Sequence, residues 1–117
     1  MARYAAKLLF QFRVMVGRKP NKRRRCEERI VVVKAASAKG ALALAKRYGA
    51  KCRHTYDNSN GDEVHFEFVG VMELLQLGLE CDKEEVWWKH VHRICPSERR
   101  ISLLPTDSDL LAACGST

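Results

Sequence analysis

The stretch "YAAKLLFQFRVMV", Tyr4 to Val16, sets the fold. Every even position is apolar (Tyr4, Ala6, Leu8, Phe10, Phe12, Val14, Val16), while Lys7, Gln11 and Arg13 stand on odd ones. A period of two marks a strand with one buried face. At 3.3 Å per residue this strand spans about 43 Å, against a radius of gyration of about 13 Å for a chain of this size. Its end near Val16 is therefore expected either to bend at a bulge or to project as an arm.

Reading outward, Gly17 to Arg25 is a connection, with Gly17 and Pro20-Asn21 as turn formers. Cys26 to Ala36 is a second strand whose centre, "RIVVVKA", is apolar on both faces, as in a sheet interior. The two strands form a hairpin with a basic tip. Ser37 offers an N-cap. Ala41, Leu44, Ala45 and Tyr48 follow helical spacing, and Gly49 suits the position after the helix end. Lys51 to Asp57 and Glu63 to Val71 read as strands around the turn "DNSNGD", where Asn60-Gly61 accepts positive φ. Phe66 and Phe68 belong to the core, and Gly70 marks a bulge or a close approach. "MELLQLG", Met72 to Gly78, reads as a short helical turn, and Val86 to Arg93 as a fifth strand. The order ββαβββ predicts an α+β fold, an antiparallel sheet of about five strands with one main helix on a face. Residues 1–105 form one domain, with the basic hairpin tip at 17–25. Residues 106–117 form a loosely attached tail, its last four residues disordered.

A chain of 117 residues buries enough surface for one core without staples. No apolar run approaches a membrane span, and Lys7, Gln11 and Arg13 interrupt any signal-peptide core. Cysteines number five, with no CxxC pair, and read as reduced thiols of a cytoplasmic protein. Cys26 follows three arginines, which would lower a thiol pKa, although an ordinary strand cysteine is the commoner reading. The net charge is +7, and residues 18–25 hold six of those charges with no acid among them. "ECDKEE", Glu80 to Glu85, is the acidic counterpart.

"YAAKLLFQFRV", "CEERIVVVKAASAKGALALAKRYG", "YDNSNGDEVHFEFVGVMELLQLG" and "EEVWW" together resemble a family of short bacterial proteins, catalogued as a domain of unknown function, number four-two-eight-eight. The likeness runs through residues 4–93 in matching order. It implies a bacterial, mostly stand-alone domain and brings no catalytic residues with it. The basic segment "RKPNKRRR" and the tail after Arg93 look particular to this sequence.

Four chemistries compete. Arg18, Lys19, Lys22, Arg23, Arg24 and Arg25 could bind phosphates by charge and counterion release, though the segment has no aromatic residue for base stacking. His90 and His92 share a strand face near Cys95, a weak metal candidate lacking the second ligand pair of zinc motifs. Glu27-Glu28, Glu63 with Glu67, and Glu84-Glu85 could serve as acid–base pairs, but half-exposed strands place glutamates there in any case. The preferred reading is a non-enzymatic protein-binding domain without a cofactor, a candidate immunity protein that neutralises a neighbouring toxin. In that reading the six cations supply charge complementarity, and Trp87 or Trp88 the apolar anchor. The alternative is a nucleic-acid-binding protein using the same tip. A homodimer, basic tip against acidic loop, is a third arrangement.

Overall fold

The computed structural model describes residues 1–77 and 87–114, with the backbone alone for 87–91. The chain runs β1 (Ala2–Val16), β2 (Lys19–Pro20), β3 (Arg23–Ala35), α1 (Ala38–Lys51), β4 (His54–Asp57), β5 (Glu63–Leu77), β6 (Trp87–Ile94), α2 (Arg100–Leu103) and α3 (Asp107–Ala113). The sheet is antiparallel in the order β4-β5-β1-β3-β6, and β2 pairs with the end of β1. This is the expected α+β fold.

β1 is central because both of its edges find ladders. It pairs with β3 from Ala2↔Ala35 to Gln11↔Cys26, and with β5 from Arg3↔Leu77 to Met15↔Glu63. Its even face carries Tyr4, Ala6, Leu8 and Phe10 into the main core beneath α1. Its far end neither leaves the sheet nor bends away: Met15 pairs with both Glu63 and Pro20, and Val16, paired with Lys19, is the exposed last residue. The register against β5 shifts between Lys7 and Leu8 and between Leu9 and Phe10, which locates the expected irregularity opposite Gly70.

α1 begins as expected, with the Ser37 hydroxyl accepting from the Gly40 amide at 3.1 Å. Its buried stripe is Ala38, Ala41, Leu42, Ala45 and Gly49, whereas Leu44 and Tyr48 are exposed. Gly49 does not end the helix. The helix continues to Lys51 with Cys52 as C-cap, because the Phe68 ring needs the space beside Gly49: a Cβ there would lie 2.5 Å from Phe68 Cδ1. β4 accordingly starts late, at His54. Nor do the described residues of "MELLQLG" coil; Gly78 lies outside them. Met72 to Leu77 continue β5, because Arg3 to Lys7 of β1 offer them a ladder.

The tail is the largest correction. Residues 97–104 cross the sheet face opposite α1, where Leu103 and Leu104 pack on Leu9, Cys26 and Val69. Leu104 passes so close to Gly70 that a Cβ there would meet its Cδ1 at 2.3 Å. α3 then docks on the main core through Leu110 and Cys114, both nearly inaccessible. A reciprocal capping box between Thr106 and Asp109 starts α3. Residues 106–114 are therefore part of the packed domain. The last three residues, 115–117, lie outside the described residues.

Candidate functional site

Alternation divides the basic segment. Counted back from the buried Cys26, Arg24 shares the inward face, while Arg23 and Arg25 face the other way. Arg24 is 1% exposed. Its Nε donates to the Asn21 carbonyl at 2.7 Å, and its Nη1 to Gln11 Oε1 at 3.1 Å. Nη1 and Nη2 grip the Glu98 carboxylate at 2.7 and 2.9 Å. The guanidinium holds Glu98 well below the ordinary carboxylate range, at about 2, with a further hydrogen bond from the Ser97 hydroxyl. Gln11 Nε2 passes the network on to Glu67 at 2.9 Å, and Glu67 takes a two-pronged contact from Arg13 at 2.8 and 2.9 Å. Arg24 is thus unavailable to a partner, which corrects one of the six expected contact residues. A buried guanidinium needs a full set of acceptors, and only the inward face supplies one.

Arg18, Lys19, Lys22, Arg23 and Arg25 are exposed. None of the five has an ion pair among the described residues. The tip is a two-residue loop, Gly17-Arg18, closed by the pairs Met15↔Pro20 and Val16↔Lys19, with Gly17 at φ +67°. Asn21 pins the tip to β1: its amide donates to the Val14 carbonyl, and its side chain accepts from the Val14 amide, each at 2.9 Å. The Cys95 amide donates to the Lys22 carbonyl at 2.6 Å, tying the end of β6 to the same base. The cations therefore stand on a braced ribbon.

The α1 side of the sheet holds what the sequence did not foretell. Beyond the helix end, aromatic rings continue across three strands. His54 stacks with Tyr56 at 5.8 Å and lies 5.0 Å from Phe66; Phe66 meets Phe12 at 4.9 Å. The Arg25 guanidinium sits over the Phe12 ring, 4.4 Å from its centroid. Tyr56 is 41% exposed, and His54 and Arg25 are exposed as well. Lys51 and Arg53, also exposed, flank His54 at the helix end. Asp57, Asp62 and Glu63 bound the surface at the β4–β5 turn. A signal for this row existed: Phe12, Phe66, His54 and Tyr56 all stand at alternating strand positions. Only the register (Phe12↔Phe66, His54↔Phe66, Tyr56↔Val64) brings them side by side.

The other candidates fare differently. Cys26 is fully buried and its thiol pKa is raised by that burial, against the pull of Arg93 and Arg24, so it is no activated thiol. Glu28 is buried between Lys7 at 3.2 Å and Arg93 at 3.3 Å, and Glu27 pairs with Arg29. Neighbouring strand positions face opposite sides, so the structure separates Glu27 from Glu28. Glu63 bonds His65 while Glu67 bonds Arg13. The side chains of Trp87, Trp88 and His90 lie outside the described residues, as do Glu80 to Glu85. His92 is exposed and Cys95 half-buried; no group of three metal-ligating residues forms among the described residues. Among the described residues no helix is long and apolar enough to cross a membrane. A groove of about 500 Å³ lies where α3 rounds the edge of β5, lined by Phe68, Val71, Ile101, Leu104 and Leu110. On its rim Lys46 and Asp107 pair at 2.7 Å, and Arg100 donates from Nε to the Val69 carbonyl at 2.9 Å.

An antiparallel α+β sheet, open at one end of one face and bordered there by cations and by an acidic turn, defines the class of this protein. The family model for the Domain of unknown function (DUF4288) matches residues 3–88, and the chain belongs to that family. No curated protein and no solved structure matches it.

Proposed function

We propose that this protein is a non-catalytic nucleic-acid-binding domain that holds the phosphate backbone with its basic hairpin tip. The observation that carries this reading is the set Arg18, Lys19, Lys22, Arg23 and Arg25, exposed on one braced ribbon without acidic partners among the described residues. Charge of this kind attracts phosphates by counterion release and needs no apolar anchor. A protein interface of ordinary strength has an apolar centre filled by large anchors. Among the described residues beside the tip, the exposed aliphatic residues are Val16 and Ile94. Charge without an apolar centre among the described residues favours a phosphate chain over the toxin partner of the immunity reading, although the same cations would suit an acidic protein.

Fluorescence anisotropy with labelled oligonucleotides at 50 and 200 mM salt tests the proposal. Five phosphate contacts predict a log–log salt slope of about −4.5 on duplex DNA and about −3.5 on a single strand. No binding at 50 mM salt overturns the reading. A complex with a co-expressed neighbouring protein, toxic alone and harmless with this chain, would replace it with the immunity function.

A further inference from the structure

We infer that the open end of the sheet is a stacking platform, and that the nucleic acid it takes is single-stranded. The inference rests on the phosphate-binding reading but on different atoms. Single-strand binders combine a cationic track for the backbone with π-faces on which unpaired bases stack. Bases inside a duplex are stacked on each other and cannot offer their faces to a flat protein surface.

The platform has the required order. Tyr56 and His54 lie on β4, Phe66 on β5, Phe12 on β1 and Arg25 on β3, all on the α1 side of the sheet beyond the helix end. Three inter-strand spacings separate β4 from β3, or about 14 Å. Phe66 is buried under its neighbours, so the exposed groups on offer are Tyr56, His54 and the Arg25 guanidinium, 4.4 Å from the Phe12 centroid. A guanidinium plane stacks on a base as an aromatic ring does. His54 is held in place by donating from Nδ1 to the Cys52 carbonyl at 3.1 Å. Lys51 and Arg53 stand beside His54, and Arg23 beside Arg25, so cations border the row at both ends. The acidic turn at Asp57, Asp62 and Glu63 lies past Tyr56, and repulsion keeps the phosphate chain on the helix-end and β3 sides.

The platform also answers the objection raised by the sequence, where the basic segment lacks aromatic residues. The rings come from β1, β4 and β5, and the sheet delivers them to the cations.

The test compares a single-stranded 12-mer with its duplex, using the wild type, Tyr56→Ala, Tyr56→Phe and Arg23→Gln/Arg25→Gln. Tyr56 is a surface residue, and circular dichroism checks that each variant is folded. Tyr56→Ala should weaken single-strand binding about 5- to 100-fold, leave duplex binding unchanged and leave the salt slope unchanged. Tyr56→Phe should keep wild-type affinity, because stacking needs the ring and not the hydroxyl. The double charge variant should weaken both substrates and flatten the single-strand slope by about 1.4. Equal affinity for strand and duplex, or a Tyr56→Ala variant that binds the strand as wild type does, overturns the platform while leaving the phosphate reading intact. Absence of binding to either nucleic acid overturns both.

Discussion

Glu98→Gln isolates the latch that braces the basic tip. It keeps the side chain's size and one acceptor oxygen but removes the carboxylate that grips Arg24. Two ion pairs of the same length show why burial decides the outcome. Lys46–Asp107 and Arg24–Glu98 both close to 2.7 Å, but the first has both side chains about half exposed, while Arg24 is 1% exposed. Removing one partner of a fully buried pair costs about 3–5 kcal/mol, because the survivor is left charged and dry. Glu98 itself is 52% exposed, so water screens part of the interaction. About 1–3 kcal/mol is expected, or a fall of about 4–12 °C in Tm for a domain of this size. Lys46→Gln, the exposed control, should cost under about 0.5 kcal/mol. The pH dependence has a fixed sign. Glu98 titrates at about 2 in the folded protein, below its unfolded value, so its contribution is full above the unfolded pKa of about 4.5. It is lost as pH falls from there through about 2. Urea unfolding of wild type and variant at pH 7, 4 and 3 should give a difference that is constant down to about pH 5 and shrinks below it. A variant within 0.5 kcal/mol of wild type at pH 7, or a gap that persists unchanged at pH 3, refutes the reasoning.

Two further outcomes follow from burial and close approach. Cys26 has no solvent access and a raised thiol pKa, so thiol labelling of the native protein at pH 8, mapped by mass spectrometry, should leave it unmodified until denaturant is added; rapid native labelling would contradict its place in the sheet. Gly49→Ala sits in a helix interior, where alanine ordinarily gains about 1 kcal/mol, yet here its Cβ would press on the Phe68 ring. Chemical denaturation should show a net loss of about 1–3 kcal/mol, and a stabilised variant would show that helix and sheet do not meet as described.

What the sequence disclosed, and what it withheld, divides along local and long-range causes. Tyr4 to Val16 announced a strand because burial alternates there with a period of two. Ser37 announced the helix start because a cap is a contact between near neighbours. Gly49 misled for the converse reason: its local meaning is a helix end, but Phe68, nineteen positions on, takes up its missing side chain. Met72 to Leu77 carry no period that separates a turn from a strand, and only the open edge of β1 decides. The tail did carry a signal. Thr106 with Asp109 ahead of Leu110 and Leu111 is a capping box opening an apolar run, outweighed by the prolines around it.

The candidate site was half legible for the same reason. Its charge is a property of composition and could be counted, but its division is a property of register. Six cations look alike in a row; strand alternation turns Arg24 inward to Gln11 and Glu98 and leaves Arg23 and Arg25 outward. The inward one then does something for the outward ones. By fixing residues 97 and 98 against the base of the tip, it closes the sheet face opposite α1 and holds β3 in line. Cations on a limp loop would lose about 0.5–1.5 kcal/mol of side-chain freedom apiece, and backbone freedom besides, when a partner ordered them. On a braced ribbon the backbone share has already been spent in folding, and Arg25 is already laid on Phe12. The cost of the buried arginine is thus offset at the exposed face of the same strand, where the proposed phosphate chain would bind.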